Sequence, residues 1–143
     1  MLELRQVHKT FGGHAALDGV SLRIERAATT ALIGPSGCGK STALRTMIGL
    51  LRPGSGDVLF DGEALTGANV RRARRRMGYV IQEGGLFPHM TARRNASLMA
   101  RHLGWERART EARVEELANL TRLDLAMLDR YPAELSGGQR QRV

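Results

Sequence analysis

The chain has 143 residues, of which 22 are lysine or arginine and 14 are aspartate or glutamate, so its formal net charge is +8. This length predicts one domain of ordinary size rather than a multidomain machine. A hydrophobic fraction of 42% and a charged fraction of 25% exclude a disordered chain and a fibrous repeat.

The positive charge comes almost entirely from arginine. Lys9 and Lys40 are the only lysines, so twenty of the 22 basic residues are arginines. Acidic residues interleave with them, as over residues 106–116, which favours a solvated surface over a nucleic-acid partner. The single cysteine, Cys38, cannot form an internal disulfide, and residues 2–11 lack the apolar core of a signal peptide. No segment approaches the roughly 18 apolar residues of a membrane span, so we expect a cytoplasmic chain whose membrane role goes through a partner.

The first half of the chain predicts strands around one helix. Apolar residues at positions 2, 4 and 7 predict a strand and residues 21–25 a second, both at a sheet edge. Residues 29–34 form an unbroken apolar strand ending in glycine, followed by a glycine-rich turn and a helix over 41–51. Residues 57–62 predict a strand ending in the hairpin dipeptide Asp-Gly, and residues 77–82 predict another strand.

The second half predicts helices. Residues 91–102 and 105–122 carry helix-forming residues at helical spacing, without a strand signal, and a further helix begins near Ser136. A basic cluster, Arg71, Arg72 and Arg74 to Arg76, precedes the last predicted strand. We expect this cluster to be a solvated face; contact with phospholipid is the alternative.

The sequence GPSGCGKS at residues 34–41 fits the pattern G-x-x-x-x-G-K-S/T at a junction between a strand and a helix. Gly37 and Gly39 can turn successive backbone N–H groups inward, and the next helix aims its positive end at the same place. Lys40 would place its charge on the β and γ phosphates, and the Ser41 hydroxyl would bind Mg²⁺. The alternative is a glycine-rich turn without a ligand, but the context favours a nucleotide site.

The second motif is LSGGQ at residues 135–139. It can be a capping box, with Ser136 as N-cap and Gln139 at the third helical position. Capping leaves two consecutive glycines unexplained, although each costs about 1 kcal/mol of helix propensity relative to alanine. A helix N-terminus with bare N–H groups and a serine hydroxyl is suited to a second phosphate contact.

With these two motifs in this order, the chain resembles the nucleotide-binding subunit of ABC transporters, whose signature is LSGGQ downstream of a P-loop. The resemblance implies an α/β P-loop NTPase fold with an antiparallel β edge and a helical subdomain. Residues 1–82 would form the β subdomain and P-loop core. Residues 83–143 would carry the exit from the Q-loop, the helical subdomain and the signature.

The resemblance also implies roles for two isolated residues. Gln82 would be the Q-loop glutamine, which senses Mg²⁺ and couples to the membrane subunits, and Phe11 would stack on adenine. The alternatives are an ordinary polar residue at a strand end and an ordinary core phenylalanine. The implied ligands are ATP and Mg²⁺, with Ser41 and Gln82 on the metal. The implied ATP contacts are Phe11, Gly34, Pro35, Ser36, Gly37, Cys38, Gly39, Lys40, Ser41, Thr42, Gln82, Ser136, Gly137, Gly138 and Gln139.

The residues that would cleave ATP have no clear candidates. Asp61 and Asp129 each follow an apolar run. Asp61, however, is followed by Gly62, and Asp-Gly is typical of a hairpin turn. Asp129 lies in a predicted helical region and is followed by Arg130. The resemblance places the Mg²⁺ aspartate, the catalytic glutamate and the switch histidine beyond Val143, so we expect no catalytic residue in this chain. The C-terminal part of the core sheet would be missing as well.

The sequence of residues 79–91 resembles that of ATP-binding subunits of importers for osmoprotectants such as glycine betaine, carnitine or choline. Importers of amino acids, metals and sugars share part of this segment. The implied partners are a second ATP-binding subunit in a head-to-tail dimer, integral membrane permease subunits and, indirectly, a substrate-binding protein, with no nucleic acid. The location would be the cytoplasmic face of a bacterial inner membrane. The alternatives are a non-transport ABC ATPase of DNA repair or translation, and a small P-loop kinase, against which LSGGQ argues.

Overall fold

The computed structural model describes residues 1–81 and 85–143, and the chain divides into two compact units, Met1–Tyr79 and Val80–Val143. The first unit contains strands β1 (Leu2–Phe11), β2 (His14–Ile24), β3 (Ser55–Phe60) and β4 (Glu63–Ala64), and helices α1 (Lys40–Met47) and α2 (Val70–Arg74). The second contains helices α3 (Ala92–His102), α4 (Arg107–Leu120) and α5 (Gly137–Arg142), with short 3₁₀ turns at Leu125–Met127 and Pro132–Glu134.

The strands of the first unit form one antiparallel sheet in the order β2-β1-β3-β4. The alternating pattern predicted β1 and β2 correctly, but the expectation that β1 lies at a sheet edge is wrong, because β3 pairs with its other side. Helix α1 packs on this sheet. Their shared core is aliphatic, as the composition requires, and consists of Leu4, Val7, Leu17, Ala43, Met47 and Val58.

Two predicted strands, over residues 29–34 and 77–82, are not strands in the part of the chain that the structure describes. Ile33 is 93% exposed and Val80 is 85% exposed. Continuous apolar runs are typical of strands buried between parallel neighbours, and a strand forms only where another backbone accepts and donates its hydrogen bonds. Within residues 1–81 and 85–143, no strand of the sheet pairs with either run.

The Asp-Gly turn is confirmed. Asp61 and Gly62 join β3 to β4 with φ angles of 52° and 85°, the left-handed pair that a two-residue hairpin needs. The Asp61 carboxylate is also an ionic hub. It lies 2.8 Å from the amino group of Met1, 3.0 Å from Arg26 and 2.7 Å from Arg76. Hydrogen bonds from the amino terminus and from Arg26 hold the pKa of Asp61 well below its usual range.

The basic cluster around α2 is exposed, yet it is more than a solvated face. Arg72 pairs with Glu63 at 3.1 Å, and the Arg76 guanidinium lies 4.9 Å from the centroid of the Phe60 ring. Arg74 donates to the carbonyl of Ile48 at 3.1 Å and to that of Gly49. Arg74 therefore caps the C-terminus of α1, where carbonyl groups lack partners.

The second unit is helical, as predicted. Ala96 of α3 packs against a core of Val114, Ala118, Leu123 and Leu128. Thr91 caps α3 by accepting from the Arg94 amide at 3.3 Å. The Asn95 side chain anchors the preceding segment by donating to three carbonyl groups between residues 87 and 91. Among the described residues, no helix has the length and apolarity that crossing a bilayer requires.

We expect Asp61→Asn to lower the free energy of unfolding at neutral pH, because the variant loses the acceptor charge for three cations. Because the pKa of Asp61 is lower in the folded than in the unfolded state, the ionised carboxylate contributes to the free energy of unfolding above about pH 4. This contribution is lost as the pH falls further. The difference between wild type and variant should therefore shrink in acid. Urea unfolding at several pH values measures it. Asp57→Asn on the preceding strand β3 is the control, and an equal loss there would contradict the hub.

Candidate nucleotide-binding site

The glycine-rich loop at residues 34–39 leads directly into α1, which begins at Lys40. Gly37 and Gly39 have φ angles of 83° and 94°, in the left-handed region that glycine adopts readily. Gly39 is the N-cap of α1 and contributes no side-chain cap, and the first turn of the helix carries no acidic residue. The backbone N–H groups at this positive helix end therefore have no side-chain cap and could bind an anion.

The loop is held against the sheet at Gly39. A Cβ atom there would collide with the carbonyl oxygen of Ala16 and come within 3.3 Å of Leu17 on β2. At Gly37 a Cβ atom would meet nothing within 4 Å. The motif predicted the position of the loop but not its contact with Ala16 and Leu17, which lie more than 20 residues before Gly39 in the sequence.

Lys40 lies over its own loop. Its Nζ atom donates to the carbonyl oxygen of Gly34 at 2.8 Å and to that of Pro35 at 2.7 Å, and lies 3.4 Å from the Cys38 sulfur. A phosphate group would compete with these neutral acceptors for a charged donor, and ion-assisted hydrogen bonds are the stronger kind. The loop carries no carboxylate of its own, so its chemistry fits an anion.

The residues that would hold Mg²⁺ are few. Ser41 is exposed in the first turn of α1, and Gln82 lies outside the described residues. Residues 1–81 and 85–143 contain no cluster of three His, Cys, Asp or Glu side chains that could hold a metal ion. The two aspartates that follow apolar runs are both engaged, Asp61 at the hub and Asp129 with Arg93 at 3.0 Å. The residues present fit a metal ion that would enter bound to the phosphates of a nucleotide and would then take the Ser41 hydroxyl as a further ligand.

The LSGGQ motif forms the N-terminus of α5. The Ser136 hydroxyl accepts from the Gln139 amide at 3.2 Å, and the Gln139 side chain accepts from the Ser136 amide at 2.8 Å, which is a capping box. Cβ atoms at Gly137 and Gly138 would meet nothing within 4 Å. Capping therefore accounts for Ser136 and Gln139, and packing within the described chain does not require the two glycines.

Phe11 ends β1 and is 48% exposed, so the alternative of an ordinary core phenylalanine is wrong. The Lys9 ammonium lies 5.3 Å from the centroid of its ring. An exposed aromatic face suits stacking. Contact with adenine stays a prediction.

The comparisons with known proteins cover both motifs. The family model described as ABC transporter matches residues 17–143. The chain belongs to the ABC transporter family. It is 44% identical over its whole length to the glycine betaine/carnitine/choline transport ATP-binding protein OpuCA of Bacillus subtilis, of which it covers 38%. It is 48% identical over 99% of its length to the sulfate/thiosulfate import ATP-binding protein CysA of Bordetella bronchiseptica, of which it covers 40%.

Solved structures agree with this family. A dimeric bacterial ABC transporter cassette superposes with a TM-score of 0.91 at 31% identity, over 99% of this chain and 66% of the other. A dimeric cassette in a post-hydrolysis state, bound to ADP and Pi, superposes with a TM-score of 0.90. The predicted ABC ATPase fold is thereby confirmed. The chain spans about two fifths of the length of the curated relatives.

We expect Gly39→Ala to lower the free energy of unfolding by more than Gly37→Ala does. Both substitutions place alanine in a left-handed conformation, at a cost of about 1–2 kcal/mol. Only the first also drives a Cβ atom into the Ala16 carbonyl. Urea unfolding of the two variants measures the difference. Equal losses would contradict the close packing of the loop on β2.

Proposed function

We propose that this chain binds ATP at residues 34–42 and belongs to a subunit that couples ATP hydrolysis to the import of a solute. The observation that carries the proposal is the loop itself, with two left-handed glycines, an uncapped helix N-terminus and Lys40 held at the loop. The family and the fold support it.

The loop residues would act on the phosphates in distinct ways. Backbone N–H groups of the loop and the first turn of α1 would bind phosphate oxygens, and Lys40 would exchange its contacts with Gly34 and Pro35 for the β and γ phosphates. The Ser41 hydroxyl, with Gln82, would bind Mg²⁺, which supplies charge neutralisation between the phosphates. Phe11 would stack on the adenine ring.

The chain of 143 residues should bind ATP without hydrolysing it. Asp61 already holds three cations and Asp129 holds Arg93, so neither carboxylate is available to orient a water molecule or complete a metal site.

The signature would complete a second molecule's site. We propose a head-to-tail dimer in which Ser136, Gly137, Gly138 and Gln139 close over the ATP held by the partner's P-loop. Two glycines that packing does not require would let the partner's phosphates approach the backbone. Two of the similar solved structures are dimeric cassettes.

The proposed cargo is an osmoprotectant such as glycine betaine, carnitine or choline. Relatives named for glycine betaine, choline and osmoprotectant transport are 43–45% identical to this chain and support this choice. Importers of sulfate are as similar, so another small solute is the alternative. The subunit would lie at the cytoplasmic face of a bacterial inner membrane, bound to permease subunits that receive solute from a binding protein.

Lys40→Ala should weaken ATP binding at least tenfold, because loss of one charge-assisted contact to phosphate costs about 1.5–3 kcal/mol. Titration calorimetry with MgATP measures the affinity, and a phosphate-release assay tests for hydrolysis. Arg45→Ala, which removes a positive charge from the same helix outside the loop, is the control. Unchanged affinity in the lysine variant, or hydrolysis by the wild-type chain that this variant loses, would contradict the proposal.

Gly138→Ala separates the role of the signature from folding. Its Cβ atom meets no neighbour, so the variant should unfold like the wild type or be more stable by up to about 1 kcal/mol. In the dimer the same methyl group would stand between the helix and the partner's phosphates. We therefore expect weaker ATP-dependent self-association in sedimentation equilibrium, with ATP affinity retained. Undiminished association would speak against the head-to-tail arrangement.

A further inference from the structure

A pocket in the first unit lies between the C-terminal end of α1, strand β3 and helix α2. Its volume is about 590 Å³, which is within the range of roughly 300–1,000 Å³ that small-molecule sites have. We call it the α1–α2 pocket. Its lining residues fall within residues 46–74, so it is separate from the glycine-rich loop at 34–39. Its apolar wall consists of Leu51, Pro53, Val58, Leu65 and Val70.

Contacts between α1 and α2 fix the shape of the pocket. Gly49 follows α1, and a Cβ atom there would collide with the Val70 side chain, so the two helices are already in close contact at this point. The Arg74 side chain donates to the carbonyl of Ile48 at 3.1 Å and to that of Gly49. These hydrogen bonds hold α2 at the end of α1. The pocket is therefore preformed, as small-molecule sites usually are.

The charges around the pocket all have the same sign. Arg52, Arg71 and Arg74 line it, and its lining residues include no aspartate or glutamate. Arg74 donates to backbone carbonyl groups, which leave its charge unneutralised. Arg52 and Arg71 are exposed, and within residues 1–81 and 85–143 neither side chain forms an ion pair. The pocket therefore has an excess of positive charge that its own walls do not balance.

The Arg52 side chain reaches the turn between β4 and α2. A Cβ atom built on Gly67 would lie 3.1 Å from an Nη atom of Arg52, so the guanidinium group lies close to the glycine backbone. Gly67 itself lines the pocket, and its φ angle is not positive, so its conformation does not demand glycine. A side chain at position 67 would instead displace the guanidinium group. The glycine therefore leaves the Arg52 charge at the pocket wall, where a ligand can reach it.

The wall and the charges of the pocket favour different parts of one ligand. Arginine binds carboxylate oxygens through two parallel N–H groups. The apolar wall favours a hydrocarbon body, because covering the wall removes apolar surface from water. Inorganic phosphate would leave this wall in contact with water, and an uncharged apolar compound would leave the guanidinium charges unbalanced. An organic carboxylate with a hydrocarbon body uses both features.

We propose that the α1–α2 pocket binds a small organic carboxylate with an apolar body. The guanidinium groups of Arg52 and Arg71 would bind the carboxylate, and the hydrocarbon body would pack on the apolar wall. Arg74 would keep its hydrogen bonds to the end of α1 and contribute its charge. The concave shape favours a free small molecule over the flat surface of a bilayer. The inference is independent of nucleotide binding at Lys40.

Octanoate is the probe, because it combines a carboxylate with a hydrocarbon tail. Its titration into the full chain, followed by ¹H–¹⁵N NMR, measures the affinity and also locates the site. Saturable shifts should appear at amides within residues 46–74 and not in the glycine-rich loop. Octanamide lacks the charge and acetate lacks the tail, so each should bind at least about tenfold more weakly than octanoate.

Variants of the two exposed arginines test the charge. R52Q and R71Q should each weaken octanoate binding about tenfold, because each removes a charged hydrogen-bond donor. R75Q is the matched control, because Arg75 is exposed, directly follows α2 and is not among the lining residues; its affinity should match that of the wild type. Lys40→Ala should also bind octanoate like the wild type, which separates this pocket from anion binding at the glycine-rich loop.

Charge reversal keeps the result independent of any loss of folding. R52E/R71E should reject octanoate and bind octylamine, whose ammonium group has the opposite charge. The absence of saturable shifts with octanoate, equal binding of octanamide or acetate, or an equal loss in R75Q would overturn the proposal. It would also be overturned if tripolyphosphate or phosphatidylglycerol vesicles gave the Arg52- and Arg71-dependent shifts and octanoate did not.

Discussion

The contact between Gly39 and β2 is the constraint on which the candidate site depends. Helix α1 must bury Ala43 and Met47 against the sheet while its first turn stays open to a ligand. The chain meets both demands by turning at Gly39 in a left-handed conformation that brings its backbone onto the Ala16 carbonyl. A residue with a Cβ atom there would lift the loop off the sheet and misdirect the N–H groups of the first turn. The candidate phosphate site is therefore shaped by the antiparallel sheet behind it as much as by the motif.

The arginine excess has two physical outcomes in this molecule. In the first unit Arg26 and Arg76 converge on Asp61, and Arg74 binds the carbonyl groups at the end of α1, so these charges hold elements together. Arg52 and Arg71 of the same unit have no such partner within the described chain and line an open pocket. Net charge alone cannot tell these roles apart, because the difference depends on which carboxylates and carbonyl groups the fold brings within reach.

Sequence patterns predicted what depends on near neighbours. The Asp61-Gly62 turn and the Thr91 start of α3 both depend on contacts a few residues apart. The runs at 29–34 and 77–82 were predicted as strands from composition, but a strand depends on a pairing partner that lies far away in sequence. Ile33 is consequently exposed, although its neighbours in the sequence are apolar. The support of Gly39 by Ala16 escaped prediction for the same reason, since nothing local to the motif encodes it.

The signature illustrates why a pattern can support two readings at once. The capping box satisfies the amide groups of Ser136 and Gln139 and fixes how α5 begins. It leaves the N–H groups of Gly137 and Gly138, which lie between them, without a side-chain cap, and it leaves open space where their side chains would stand. Capping and the proposed phosphate contact of the two glycine amides would therefore use different atoms of the same five residues. A serine that orders the turn would orient the two glycine amides, so the structural role would make the proposed binding role possible rather than compete with it.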